Sequence, residues 1–174
     1  MTPPAPRREP LTIRQARPAD REFVRAACAR LAAFELPPSR APRDVVAGER
    51  RAIEGFFAAP HPGTAVLLAV EDDAPLGFAY VETVTDYFTG EIHGHLGMLV
   101  VVEAGEGRGI GSALVRAAED WSRARGHRRL TLNVFGTNGH ARAVYEHLGY
   151  EVETVRYVRV FEPKTPASRR GGRG

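Results

Sequence analysis

The stretch from Leu96 to Gly126 limits what this chain can fold into more than any other. It opens on an apolar run, LGMLVVV, of the kind used by a strand covered on both faces. Gly105, Gly107, Gly109 and Gly111 follow within seven residues. Ile110, Leu114, Ala117 and Trp121 then recur at the spacing of one helix face. Gly126 stands where a left-handed residue ends such a helix, and Arg123 and Arg125 lie near its negative pole. A strand that turns through glycines into a helix leaves the first helical amides without intrahelical acceptors, beside backbone that a ligand can approach closely. That arrangement suits an anion, a phosphate above all. Arg108, inside the turn, offers a charge as well. The same glycines also fit a plain connection, because GEGRGIG is neither the dinucleotide fingerprint nor a P-loop.

Around this stretch the pattern alternates between strand and helix. Leu11–Gln15, Ala65–Val70, Leu76–Val84, Leu130–Phe135 and Tyr150–Phe161 read as strands, the last of them long. Phe23 to Phe34, Asp44 to Ala58 and His140 to His147 read as helices, with Asp20 placed to cap the first and Pro37-Pro38 breaking it from the second. Thr85 to Gly94 reads as a loop. The expectation is one α/β domain over 11–161, after a flexible lead (1–10) and before a disordered basic tail (162–174).

No apolar run approaches a membrane span, and the first residues, MTPPAPRREP, have no apolar signal core, so the expected location is cytoplasmic. The single cysteine, Cys28, excludes an internal disulfide and sits where a small core residue belongs. No metal-ligand spacing occurs. Charge is unevenly placed. Between Arg51 and Arg108 there is no Lys or Arg, yet nine acidic residues fall there, including Glu71, Glu82, Asp86, Glu91 and Glu106. An acidic half would steer a cationic ligand, and equally fits a solvated face. The four basic residues beyond Glu162 are a weak basis for nucleic-acid binding.

The segment Gly107-Arg108-Gly109-Ile110-Gly111-Ser112-Ala113-Leu114 resembles the acetyl-coenzyme A loop of the GNAT superfamily of N-acetyltransferases, Gln/Arg-x-x-Gly-x-Gly/Ala after a Leu-x-Val strand. It departs from that pattern at Glu106, where the family prefers Gln or Arg, and at Glu103, where Pro is frequent. A second element, Asn138-x-x-Ala141-x-x-x-Tyr145 followed by Gly149-Tyr150, is similar to the family's later motif. Spacing alone makes Asn138 a helix cap and Tyr145 a core aromatic.

The resemblance implies a mixed, mostly antiparallel central sheet of six to seven strands, flanked by about four helices and splayed at its central strand. It implies acetyl-CoA as co-substrate, no metal, and an amine as acceptor. Leu99, Val101, Gly107, Arg108, Gly109, Ile110, Gly111, Ser112 and Asn138 are the expected cofactor-binding residues. Tyr145 is the expected acid for the departing thiolate. His95 stands where some members carry a glutamate base, with Glu82, Glu91 and His93 as rivals. Two further expectations stay open: a CoA-binding regulatory module without transfer activity, and a homodimer paired through the last strand.

Overall fold

The computed structural model describes residues 10–161; the expectations for the lead and the tail otherwise fall outside those residues. Five strands form one sheet in sequence order: β1 (Thr12–Gln15), β2 (Thr64–Glu71), β3 (Ala74–Thr85), β4 (Ile92–Val101) and β5 (Leu130–Leu132). The first four pair antiparallel, and β5 lies parallel to β4. Four α-helices flank the sheet: α1 (Arg21–Ala27), α2 (Pro42–Ala58), α3 (Ile110–Arg123) and α4 (Gly139–His147). The fold is thus the expected α/β type, with five strands among the described residues where six to seven were expected.

Side-chain alternation along β2 and β3 makes two cores from one sheet. Ala65, Leu67, Ala69, Ala79 and Val81 pack with Ile110, Leu114, Ala118 and Trp121 of α3. Val66, Leu68, Val70, Phe78 and Tyr80 pack with Val24 of α1, Cys28 just after it and Ile53 of α2. Both faces are covered, which is why these strands read as continuous apolar runs. Cys28 behaves as a core residue: it is fully buried, its Sγ donates to Val24 O at 3.3 Å, and burial pushes the thiol up to about 11. The β2–β3 hairpin turns on Asp72 and Asp73, both at positive φ, which aspartate tolerates better than most residues.

Two irregularities in β4 shape the site. Tyr80 pairs with Met98 and Val81 with Leu96, so Gly97 is left out of the ladder as a bulge. The extra residue inverts the alternation. Leu96 joins the α3 core, whereas Met98 and Val100 join the opposite one. The second irregularity is the shortness of β5, which pairs only Leu130–Leu132 with Gly94–Leu96. Residues 97–101 of β4 therefore continue with β3 on one side and no β5 on the other. The sheet opens there, directly before the glycine turn.

The last expected strand is corrected. From 151 to 161 the chain joins no sheet and every residue is exposed. Its β-branched and aromatic composition suits a strand, but within the described residues no neighbour supplies the ladder that would make it one. The loop after β3 is also shorter than expected, since strand resumes at Ile92. Among the described residues no helix is long and apolar enough to cross a membrane.

Candidate active site

The turn from β4 into α3 passes through a short 3-10 segment, Glu103–Gly105, and then Glu106 to Gly109. Gly107 and Gly109 take φ of +68° and +74°, and an added Cβ at either would meet nothing within 4 Å. Left-handed backbone and open space at both positions make a cradle that no side chain fills. Gly109 caps α3, and the first intrahelical bond runs from Ala113 N to Gly109 O. The amides of Ile110, Gly111 and Ser112 precede it and point out of the helix end. Gly105 has a different role, because a Cβ there would come within 3.0 Å of Leu76 O.

The two charged side chains of the turn are drawn away from it. Glu106 meets the guanidinium of Arg30, at the end of the α1 layer. Arg108 donates to both carboxylate oxygens of Glu71 on β2, at 2.6 and 2.5 Å, and to Ala104 O at 3.3 Å. The departure at Glu106 is thereby accommodated, and the turn presents backbone amides. Arg108 contributes its amide at this place, with its charge directed to Glu71. Leu99 and Val101 lie on the opened part of β4, partly buried against the α3 core.

His95 lies on the paired part of β4, opposite Glu82 of β3 and Thr131 of β5. Its Nδ1 lies 2.9 Å from Thr131 Oγ1, whose hydroxyl in turn donates to Gly94 O at 3.4 Å. With the Thr131 hydroxyl turned to the carbonyl, it accepts from Nδ1–H, the tautomer that leaves a lone pair on Nε2. Asn133 Nδ2 stands 3.5 Å from that Nε2. Burial lowers the His95 pKa, Glu82 opposes the shift, and His93 adds to it. The ring is therefore neutral at physiological pH, the form that accepts a proton. Glu82 also receives the Tyr80 hydroxyl at 3.5 Å. His93 is buried, with Nδ1 unpartnered among the described residues, and Glu91 lies outside the strand.

Asn138 caps α4 by accepting from Ala141 N at 3.1 Å, as its spacing predicts. Tyr145, on α4, packs against the α3 core that Leu99 and Val101 also border. Its ring meets Tyr150 edge-on, with centroids 5.8 Å apart, and burial pushes the phenol up to about 12. It stays protonated at neutral pH. Thr131 and Asn133 were not among the expected site residues. Their alternation with Leu130 and Leu132 was the available signal, since it separates one polar face from one apolar face.

The acidic half is not a bare acidic surface. Glu71 holds Arg108, Asp86 holds Arg129 at 2.5 Å, Glu54 holds Arg21, and Glu106 holds Arg30. Arginines at or outside the block's ends neutralise much of it. Asp86 also accepts from Thr89 N and Oγ1, and those bonds, with Arg129, hold its carboxyl down to about 2.

The pattern of the acetyltransferase (GNAT) family matches residues 28–150. An aminoglycoside N(6')-acetyltransferase type 1 of Stenotrophomonas maltophilia is 32% identical over 161 residues, 90% of this chain and 96% of that protein. A mycothiol acetyltransferase of Beutenbergia cavernae is 48% identical over 67 residues, 38% of this chain and 21% of that protein. A second, from Amycolatopsis mediterranei, is 36% identical over 113 residues, so this chain spans only 34% of its length. A putative acetyl transferase from Pyrococcus furiosus shares the fold at a TM-score of 0.71 and 21% identity, covering 87% of this chain and all of that one. An aminoglycoside N-acetyltransferase solved with CoA does so at 0.66 and 24%, covering 91% and 98%. The chain belongs to the acetyltransferase (GNAT) family.

Proposed function

We propose that this enzyme transfers the acetyl group of acetyl-CoA directly to a primary amine on a cationic acceptor. The observation that carries this reading is the empty-sided glycine cradle at the head of α3, set beside the part of β4 that β5 leaves open. Acetyl-CoA supplies the activated acyl group as a thioester. The amides from Gly107 to Ser112 suit its diphosphate, since they combine unfilled donors with the positive end of the α3 dipole. Leu99 and Val101 flank the opening on β4, where backbone that lacks a β5 partner is available to polarise a carbonyl. Asn138 has its side-chain oxygen occupied by the α4 cap, so it serves the site by fixing where α4 begins.

The reaction forms a C–N bond, breaks a C–S bond and moves two protons. His95 takes one from the attacking amine at Nε2. An amine of pKa about 10 arrives as a cation and must lose a proton before attack. Tyr145 gives its own proton to the departing thiolate, and the second proton shed by the acylated nitrogen restores the Tyr145 hydroxyl. Glu82, opposite His95, suits a second positive charge on the acceptor. The 32% identical aminoglycoside acetyltransferase, whose name describes an acceptor rich in amines, supports the same class.

The test is a panel of polyamines, aminoglycosides, peptide amines and neutral amines, read by thiol release from acetyl-CoA. Turnover with cationic amines supports the assignment. Turnover confined to neutral or anionic amines contradicts the acceptor class, and binding of CoA without thiol release from any acceptor contradicts the transfer.

A further inference from the structure

The layer of α1 and α2 has an outer face that the candidate active site does not use. Val24 and Ile53 turn inward and are fully buried in the second core, while α3, which carries the glycine turn, packs on the other side of the sheet. Outside, the two helices leave a groove of about 630 Å³ between them, with Arg25 on the α1 side and Arg43, Val46, Arg50, Arg51 and Glu54 on the α2 side. Arg43, Val46, Arg50 and Glu54 recur at the helix period, so they form one stripe of α2 roughly 16 Å long.

The arginines of this groove are not all taken up by local carboxylates. Glu54 accepts from Arg21 Nε at 2.9 Å and lies 3.4 Å from Arg25 Nε, so it anchors the α1 rim. Arg50 Nε donates to Arg25 O at 3.2 Å, which holds that side chain across the groove and leaves its two terminal nitrogens without a partner among the described residues. Arg50 and Arg51 meet no carboxylate among those residues, and Arg43 meets only its neighbour Asp44, at 3.6 Å. Three guanidinium groups lining one groove repel one another until an anion lies among them.

We propose that this groove binds a compact oligophosphate, free or carried on a nucleoside. Forked guanidinium donors match phosphate oxygens, and three of them meet a ligand that concentrates several charges on one small body. The groove has the volume of a small-molecule site. Its lining holds no aromatic ring, so it offers a single-stranded nucleic acid no stacking platform and a protein partner no aromatic anchor. The site is separate from the glycine cradle at the head of α3, because the sheet lies between α2 and α3.

The test titrates the ¹⁵N-labelled full chain, with and without an excess of CoA, using sodium tripolyphosphate in one series and ATP in another. Saturable amide shifts along α1 and α2 in the presence of CoA support the site. Equal affinity for the two ligands assigns it to a free phosphate chain, and ATP binding about tenfold or more tighter assigns it to a nucleotide. Arg43→Gln with Arg51→Gln should weaken binding about tenfold or more. Arg128→Gln with Arg156→Gln, the same loss of charge elsewhere, should leave it nearly unchanged. Absence of shifts overturns the proposal, as do shifts seen only without CoA, an equal loss in both double variants, or binding confined to an oligonucleotide or to anionic vesicles run alongside.

Discussion

The two halves of β4 share one neighbour, β3, and differ in the other. From Gly94 to Leu96 the strand has β3 on one side and β5 on the other, and Leu96 is sealed into the α3 core. From Met98 to Val101 it keeps the β3 ladder but has no β5, and its apolar side chains anchor it in the two cores. The bulge at Gly97 marks the change. A Cβ there would come within 3.1 Å of Tyr80 and 3.8 Å of the Glu82 carboxylate, so glycine keeps that approach open. Burying the side chains of a strand while leaving one edge of its backbone unclaimed gives a rigid element that can still accept a ligand's hydrogen bonds. The closed half builds stability, and the open half, with the glycine turn beyond it, builds the site.

The comparison can be broken at either half. The largest effect is expected from Tyr145→Phe, which removes the proposed acid at the open half. Turnover should fall roughly 10²–10⁴-fold with CoA affinity nearly unchanged, a split that steady-state kinetics and calorimetry together resolve. Next comes Leu114→Ala under the closed half. It should cost about 2–5 kcal/mol in denaturant unfolding, because Leu114 is fully buried in the α3 core. Gly109→Val places a β-branched residue at a φ of +74°. It should weaken CoA binding by about tenfold or more while leaving the midpoint of unfolding less affected than Leu114→Ala does.

His95 sharpens the boundary between the halves. Because burial holds its pKa below the ordinary value of about 6.5, the base form persists to lower pH, and the acidic limb of kcat/KM should lie below that value. His95→Gln should remove the limb, and Glu82→Gln should move it lower still, since Glu82 raises this pKa. The same shift has a stability sign. A histidine kept neutral in the fold contributes fully above the unfolded value and loses that contribution as pH falls through it, so His95→Gln should flatten the acid side of a melting-temperature profile. Thr131→Val is expected to have the smallest effect, an altered imidazole tautomer read from nitrogen chemical shifts, which Thr131→Ser should restore.

Much of the closed half was legible from local pattern. The α3 face, its start at Ile110, the left-handed Gly126 with φ +76° and the Asn138 cap all follow from spacing and capping rules that operate within a few residues. What escaped depends on distant partners. The Arg30–Glu106 and Arg108–Glu71 contacts join positions 76 and 37 residues apart, and they decide which way the turn's charges face. The shortness of β5 and the Gly97 bulge are properties of pairing, and an apolar run carries no record of where its neighbour stops. The 151–161 segment teaches the same lesson in reverse, because strand-forming residues name a preference that the rest of the described chain does not meet.

The amide resonances of the ¹⁵N-labelled protein during titration with CoA test the central claim most directly. The account predicts the largest displacements at Gly107 to Ser112 and along 97–101, with the Gly94–Leu96 ladder nearly still. Saturable binding that leaves the head of α3 unmoved and shifts amides elsewhere would contradict it.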